Sequence, residues 1–401
     1  MKILFAVHGY KPAWRVGGPI LSVSAVSERL VRRGHEVTVV SSNANIIETI
    51  DVPIDQPVDV DGVKVWYFRS ENVFRRFVPK LRYVSESIGY LYSSAMRRRL
   101  EQLVPAADLV HTHVPFVYPT YAAAHAAFRY RKPLFYHQRG VFDPERLKYR
   151  SLKKTLYINA IEKPIMRKAT TLFALTDAEA DSYRRLGITT RSRVVPNGIE
   201  TEKYRTQSTG LERRFGIPPS GPVILFLGRI HPMKGAVRLL DGFLRIHAEF
   251  PGATLVIAGP DECGLEGTYR QTIREAGLQD RILFPGMVAG EEKLDLLARA
   301  DLFSLPSDAE GFSMAILEAL ASGTAVCLSH GCHFDEVESA GCGRVISNDV
   351  EEIAVTLRTM LRDRAALSGM GQKGRMLVQQ RYNWDRITDQ FLDVYREGLA
   401  A

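Results

Sequence analysis

A chain of 401 residues, 45% hydrophobic and 24% charged, is too long for one ordinary core and too apolar for disorder, so two globular domains are expected. No stretch reaches the roughly 18 apolar residues of a membrane-spanning helix, because charge or glycine interrupts every run. The net charge of +8 is uneven: residues 1–200 hold 31 Lys and Arg against 18 Asp and Glu, the remainder 22 against 27, so the halves carry +13 and −5. The basic half meets an anionic partner or is simply kept soluble.

From the start, Met1 to Val7 reads as a buried strand rather than a signal peptide, since the apolar run stops at His8-Gly9 with no cleavage pattern behind it. A helix over 19–33 and a strand over 36–41 follow. Asp61-Gly62 between extended runs at 57–60 and 63–68 signals a hairpin, which makes Asp59-Val-Asp61 a turn before it is a metal motif. Further strands are expected over 108–111, 133–137, 171–174 and 193–195, with helices over 83–103, 119–128, 152–168 and 177–186. Alternation of this kind predicts a parallel sheet with helices on both faces. After Pro196-Asn197-Gly198 a polar, Gly- and Pro-rich stretch reads as a linker. A second series then runs through strands at 223–227, 253–258, 282–285, 302–305 and 325–328 and ends in helices after Val350. The fold class is α/β, with two doubly wound domains.

Cys263, Cys327, Cys332 and Cys342 fit neither a disulfide framework nor a Cys-x-x-Cys pair, which favours a reducing, cytoplasmic setting. His330 and His333 flank Cys332 at spacings too irregular for zinc. No metal is expected.

Three constellations carry chemistry. In the segment from Asp308 to Gly323, helical spacing of apolar residues puts Glu318 on a helix and Glu310 in the loop before it, at the carboxyl end of the strand over 302–305, where open α/β sheets bind ligands. Two acceptors up to about 12 Å apart along a regular helix suit hydroxyls at opposite ends of an extended ligand; a dipole-stabilised Glu and an unrelated helix-face Glu fit equally well. Gly228-Arg229 to Lys234-Gly235 joins a strand to a helix and puts two cations and a helix start where a diphosphate would bind, without being a Walker loop. Gly17-Gly18-Pro19 after the first strand allows close backbone approach or simply makes a tight turn. His111, His113 and His137 follow two apolar strands, whose loops would turn them toward a cleft; each is as well explained as a structural histidine.

Taken together, these motifs resemble glycosyltransferase family 4, retaining enzymes of the GT-B fold, over nearly the whole chain. The resemblance rests on the Gly-Gly-Pro loop, Asp108-Leu-Val-His-Thr-His113, Val195-Pro-Asn-Gly198-Ile-Glu200, Gly228-Arg229 to Lys234-Gly235, and the Glu310-x7-Glu318 pair. It implies two Rossmann-like domains facing an interdomain cleft: residues 1–196 with a crossover helix over 383–401 for the acceptor, and 197–382 for the donor. It implies a nucleotide-sugar co-substrate, a UDP- or GDP-sugar, with no other cofactor. Arg229 and Lys234 would hold the diphosphate, Glu310 the transferred sugar, Glu318 the ribose, and Met287 and Val288 the base, with Gly311, Phe312 and Ser313 also in contact with the donor. Gly17 and Gly18 would approach the diphosphate or the acceptor. The family often has His before Gly after the strand at 133–137; here Arg139 precedes Gly140, so His113, His137 and Arg139 share the place beside the reacting sugar. The acceptor would be a glycan or a polyprenyl-diphosphate-linked sugar of bacterial cell-surface biosynthesis. Arg75, Arg76, Lys80, Arg82, Arg97, Arg98 and Arg99, among Phe74, Phe77, Tyr83, Tyr90 and Tyr92, suit anionic headgroups at the inner face of the cytoplasmic membrane, or form a solvated surface. A nucleotide-sugar epimerase of the same architecture is the alternative; a nucleic-acid-binding module lacks any recognisable motif. The oligomeric state is not legible.

Overall fold

The computed structural model describes residues 1–14, 17–45, 48–71, 91–143, 152–262 and 264–400. Contacts divide the chain into two compact units, Met1–Asn197 with Trp384–Ala401, and Gly198–Asn383.

The strands of unit 1 are β1 (Lys2–Val7), β2 (Glu36–Ser42), the short pair β3 (Ala44–Asn45) and β4 (Glu48–Thr49), β5 (Pro57–Val60), β6 (Val63–Phe68), β7 (Leu109–His113), β8 (Leu134–His137), β9 (Thr171–Ala174) and β10 (Ser192–Val194). Eight form one sheet in the order β10-β9-β8-β7-β1-β2-β6-β5, parallel except for the edge hairpin β5/β6. The hairpin turns through Asp61 and Gly62, both at positive φ, and Asp59 accepts the Gly62 N–H at 3.0 Å. It is a turn, as the sequence indicates.

Successive β1 residues enter different cores. Leu4 and Ala6 join one cluster, under the helix Tyr118–Arg129. Ile3, Phe5 and Val7 join another, with Val23, Val26 and Leu30 of the helix Gly18–Arg32 and Ile387, Phe391 and Tyr395 of the helix Trp384–Ala400. A strand buried on both faces needs apolar residues at every position, which explains the unbroken run in β1.

The helix expected over 152–168 is interrupted. It runs as α-helix over Leu152–Tyr157, π-helix over Ile158–Glu162 and α-helix over Lys163–Lys168. Pro164 has no N–H to give the carbonyl of residue 160, so the ladder is already broken where the wide turn forms. Of the helix expected over 83–103, Ser94–Leu103 is described.

Unit 2 holds β11 (Val223–Leu227), β12 (Thr254–Ala258), β13 (Ile282–Gly286), β14 (Leu302–Leu305), β15 (Ala325–Ser329) and β16 (Gly343–Ile346), all parallel in the order β13-β12-β11-β14-β15-β16. Sequence reading missed β16, whose Gly-Cys-Gly approach looks like a turn. A Cβ on Gly343 would stand 2.3 Å from the Val326 carbonyl oxygen, so that glycine lets the edge strand dock. The stretch read as a linker is pinned to unit 2: fully buried Asp295 accepts the N–H groups of Thr209 and Leu211 at 2.9 and 3.0 Å and pairs with Arg205 at 2.8 Å.

Candidate active site

In unit 2 the strand order reverses between β11 and β14, which are the strands leading into the cationic turn at 228–235 and the loop at 308–313. A reversal of this kind opens a crevice at the carboxyl ends. Gly235 sits at φ 75°, and a Cβ there would lie 1.9 Å from the Pro306 carbonyl oxygen. The Asp308 N–H and the Ser307 hydroxyl both donate to the Met233 carbonyl, at 2.8 and 3.0 Å. Backbone pressed this closely carries Lys234 onto Glu310.

The Lys234 ammonium donates to both oxygens of Glu310, at 2.5 and 2.7 Å, and the side chains are only 17% and 5% exposed. The Glu310 N–H donates to the Gly331 carbonyl at 2.8 Å. Gly331 itself leaves no room for a Cβ, which would lie 2.4 Å from the carbonyl oxygens of Ser307 and Asp308. Asp308 is held by Arg238 at 2.9 Å and by the Asn348 amide at 2.8 Å. Sequence reading singled out Lys234 and Glu310 in separate constellations, with Arg229 and with Glu318, and did not anticipate that they bind each other.

The helix after the loop is Met314–Ala321, beginning two residues later than the periodicity through Phe312 suggests. Gly311, Phe312 and Ser313 are loop, and the Phe312 ring packs against Phe334 and Tyr382 instead, with centroids 5.7 and 5.9 Å away. Glu318 is on the helix and buried. It accepts from Lys293 at 2.8 Å and from the Tyr204 hydroxyl at 3.1 Å, two partners with no local signal in the sequence. Burial first, and then the Glu318 charge, push the Tyr204 hydroxyl well above its ordinary range. Arg229 is apart from these residues: it is half-exposed and pairs with Glu262 at 2.6 Å. Met287, at 77% exposure, projects just past β13, and Val288 is buried.

In unit 1 the reversal falls between β1 and β7. Gly17, at φ 99°, and Gly18 follow β1, and among the described residues nothing beyond their chain neighbours and local helix backbone lies within 4 Å of where either Cβ would stand. The histidines correct the sequence reading. None projects from a loop: His111 and His137 lie inside strands as the bounds 108–111 and 133–137 have them, and β7 runs on through His113. Alternate residues of a strand share a face, so His111 and His113 stack at 4.2 Å between ring centroids, and the β7/β8 register sets His137 beside His113. All three are at most 1% exposed.

Burial, reinforced by the Arg139 charge, holds these imidazoles well below their ordinary pKa and hence neutral. The His111 Nδ1 meets the Tyr395 hydroxyl at 2.7 Å. Arg139, at φ 56°, reaches His113 Nδ1 at 3.3 Å and the Asn197 side-chain oxygen at 2.9 Å. One ring nitrogen from each histidine comes within 4.8 Å of the others, the ligand type of a transition-metal site. Two features work against a cation there. The guanidinium adds a fixed positive charge, and its donation to Nδ1 leaves the His113 proton on Nε2.

Cys332, the thiol near His330 and His333, is buried and donates to the Leu305 carbonyl at 3.2 Å. Burial lifts it to about 12, so it remains a thiol rather than a ligand. Cys263 lies outside the described residues. So do Phe74, Arg75, Arg76, Phe77, Lys80, Arg82, Tyr83 and Tyr90 of the basic and aromatic cluster.

Two family models match. "Glycosyltransferase Family 4" covers residues 16–203 and "Glycosyl transferases group 1" covers 209–377. The chain belongs to glycosyltransferase family 4. It is 32% identical over 255 residues to a D-inositol 3-phosphate glycosyltransferase of Saccharomonospora viridis, a match spanning 60% of this chain and 58% of that protein. It is 24% identical to the GDP-mannose:cellobiosyl-diphosphopolyprenol alpha-mannosyltransferase of Xanthomonas campestris, over 74% of this chain and 76% of that protein. Among solved structures, Anabaena Alr3699/HepE in complex with UDP superposes with a TM-score of 0.74 at 20% identity, covering 99% of this chain and 100% of that one. At that identity the likeness speaks for the fold alone. This family 4 chain has the GT-B architecture of two Rossmann-like sheets.

Proposed function

We propose that the chain is a retaining glycosyltransferase that moves a sugar from a UDP- or GDP-sugar to a glycan or polyprenyl-diphosphate-linked acceptor, in the making of bacterial cell-surface polysaccharide or glycolipid. The observation that carries this reading is the buried Lys234–Glu310 pair at the carboxyl end of the unit 2 switch point. An ammonium has three donors and Glu310 uses two of them; a carboxylate has about four acceptor positions. Each partner therefore keeps capacity for a ligand, Lys234 for a phosphate oxygen and Glu310 for a sugar hydroxyl.

Unit 2 takes the donor in this reading. Arg229 and Lys234 hold the diphosphate, Glu318 the ribose, the backbone at Met287 and Val288 the base, and the loop at 310–313 the sugar. The bond from the anomeric carbon to the diphosphate breaks with its electron pair going to phosphate oxygen, where the two cations stabilise it. The acceptor hydroxyl attacks the same face, and its proton passes to the departing diphosphate. No cofactor or metal is called for, because the leaving group finds its counter-charge in Arg229 and Lys234. Unit 1 takes the acceptor, with the open edge at Gly17 and Gly18 as its contact. His113 and His137, at most 1% exposed, hold that end of the sheet in place, and Arg139, no more buried than Glu310, is the one of the three left to face the reacting sugar. The relatives named above are transferases, which favours transfer over epimerisation or nucleic-acid binding.

A thermal-shift screen against UDP-, GDP- and ADP-sugars tests the donor, since a ligand that binds only the folded chain raises its melting temperature. Stabilisation by one nucleotide class is expected; no shift with any of them would end the donor reading. Product analysis separates transfer, which consumes acceptor, from epimerisation, which does not.

A further inference from the structure

Arg139 stands two residues beyond the carboxyl end of β8, in a turn where it and Gly140 both take positive φ, 56° and 75°. A side chain held in that region costs about 1–3 kcal/mol and persists where its surroundings fix it. They do so here. The Gln138 amide donates to the Glu179 carbonyl and the Ser182 hydroxyl at 2.9 and 2.8 Å, and its oxygen accepts the Phe142 N–H at 3.0 Å. The Glu179 carboxylate in turn accepts the N–H groups of Gly140 and Leu175. The turn is thereby fastened on both sides of Arg139.

What the turn holds is a buried cation without an ion pair. Two arginines are buried among the described residues, Arg29 and Arg139, at 7% and 9% exposure. Arg29 pairs with Asp385 at 3.5 Å. Arg139 has neutral partners, the Asn197 side-chain oxygen at 2.9 Å and His113 Nδ1 at 3.3 Å, and its buried Nε has none among the described residues. Glu179 reaches it through charge alone, with both carboxylate oxygens engaged by backbone. Burial lowers the guanidinium to about 10, so it keeps its charge at neutral pH. Of its five N–H donors, these contacts occupy two.

Two neighbours add donors of the same kind. His113 receives from Arg139 at Nδ1, which leaves its proton on Nε2, and that atom is buried without a hydrogen bond among the described residues. The same holds for both ring nitrogens of His137, one of which carries a proton. A ring nitrogen of His137 lies within 4.8 Å of one of His113. A buried donor left unmade costs about 1–3 kcal/mol. Three such groups at the carboxyl ends of β7 and β8, beside the reversal where open sheets take ligands, fit a ligand rich in acceptors. A neutral hydroxyl both accepts and donates. A carboxylate or phosphate only accepts, matches the guanidinium fork, and brings the counter-charge that no hydrogen-bonded carboxylate supplies.

We infer that Arg139, oriented by His113 and Asn197, is an oxyanion subsite of unit 1, and that the chain takes a sugar substrate bearing a carboxylate or phosphate group. That the oxyanion belongs to a sugar rests on the transferase reading above.

The test compares acidic sugars with neutral counterparts by titration calorimetry on the full chain. Free glucuronate and glucose 6-phosphate are set against glucose, UDP-glucuronate against UDP-glucose, and GDP-mannuronate against GDP-mannose. In at least one set the acidic member is expected to bind about tenfold or more tighter, and Arg139→Gln should erase the difference. Arg139→Lys keeps the charge and loses the fork, so it should retain part of the preference, and it carries the same reading if the glutamine variant does not fold. A preference among nucleotide sugars would put the oxyanion on the transferred sugar, and one among free sugars would put it on the acceptor. Glucuronate against glucose 6-phosphate tells carboxylate from phosphate. Acidic members that in every set bind no better than their neutral counterparts, or not at all, would overturn the inference without any variant. So would a preference that survives Arg139→Gln. Acid preference among free sugars in a chain that binds no nucleotide sugar would count against the proposed donor and leave the subsite standing.

Discussion

Lys234 and Glu310 form a two-pronged ion pair, with the ammonium 2.5 and 2.7 Å from the carboxylate oxygens, closed off by a glycine turn on one side and a strand end on the other. Neither residue is placed by its own element alone. The pair exists because the loops after β11 and β14 share hydrogen bonds to the Met233 carbonyl.

Lys234→Ala leaves a buried carboxylate without its partner and should cost about 3–5 kcal/mol of stability. Glu310→Gln keeps the shape and should lower turnover by about 100-fold or more if the charge is used in the transition state. Urea unfolding and a transfer assay separate the two effects. A double replacement, Lys234→Met with Glu310→Leu, should recover much of the stability and none of the activity; recovered activity would exclude the pair from the chemistry.

Glu318 answers to Lys293 and Tyr204 rather than to Lys234. If it holds one end of the donor without touching the reacting bond, Glu318→Gln should raise the donor KM by about tenfold and leave kcat nearly unchanged. Initial rates at varied donor concentration would show this, and a fall in kcat with constant KM would refute it.

Two glycines should respond differently to the same change. Gly235→Ala forces a Cβ to within 1.9 Å of a carbonyl oxygen and should destabilise unit 2 by at least about 3 kcal/mol. Gly17→Ala meets open space among the described residues and bears only the strain of a backbone conformation (φ 99°, ψ −155°) that is essentially reserved for glycine, about 1–3 kcal/mol. Thermal unfolding of the two variants checks the ranking. A sharp loss of transfer in Gly17→Ala without matching loss of stability would point to a ligand that approaches there.

The buried histidines set an acid limit. Burial lowers His8 to about 4 and holds His111, His113 and His137 well below 6.5 in the folded chain. The unfolded chain binds protons at these rings once the pH falls below about 6.5, and the folded chain does not, so stability declines from there until the folded values are reached. Each histidine contributes up to about 1.4 kcal/mol per pH unit within that window. Urea midpoints between neutral and mildly acid pH should fall steeply, and His137→Phe should flatten the slope by about one proton. A pH-independent midpoint would mean that the histidines already titrate in the folded state.

The strand-helix alternation and the turns at Asp61-Gly62 and Gly235 were legible because they depend on local period and on φ. Glu310 and Lys234 were legible as loop residues at strand ends. What stayed hidden depends on contact across sequence: the pairing of Lys234 with Glu310, 76 positions apart, the Lys293 and Tyr204 partners of Glu318, and the packing of Tyr395 on His111. His113 was misplaced for a related reason. A polar residue near a strand end reads as loop, and only the covering helix Trp384–Ala400 shows that β7 continues through His113.

That covering helix belongs to unit 1 although the whole of unit 2 separates it from Asn197 along the chain. During synthesis, unit 2 is complete in one continuous stretch, whereas the face of unit 1 that carries His111 remains open until Phe391 and Tyr395 have left the ribosome. The half that is made first therefore lacks part of its core until the last helix has been made, and until then its aromatic face is without the cover that Phe391 and Tyr395 supply.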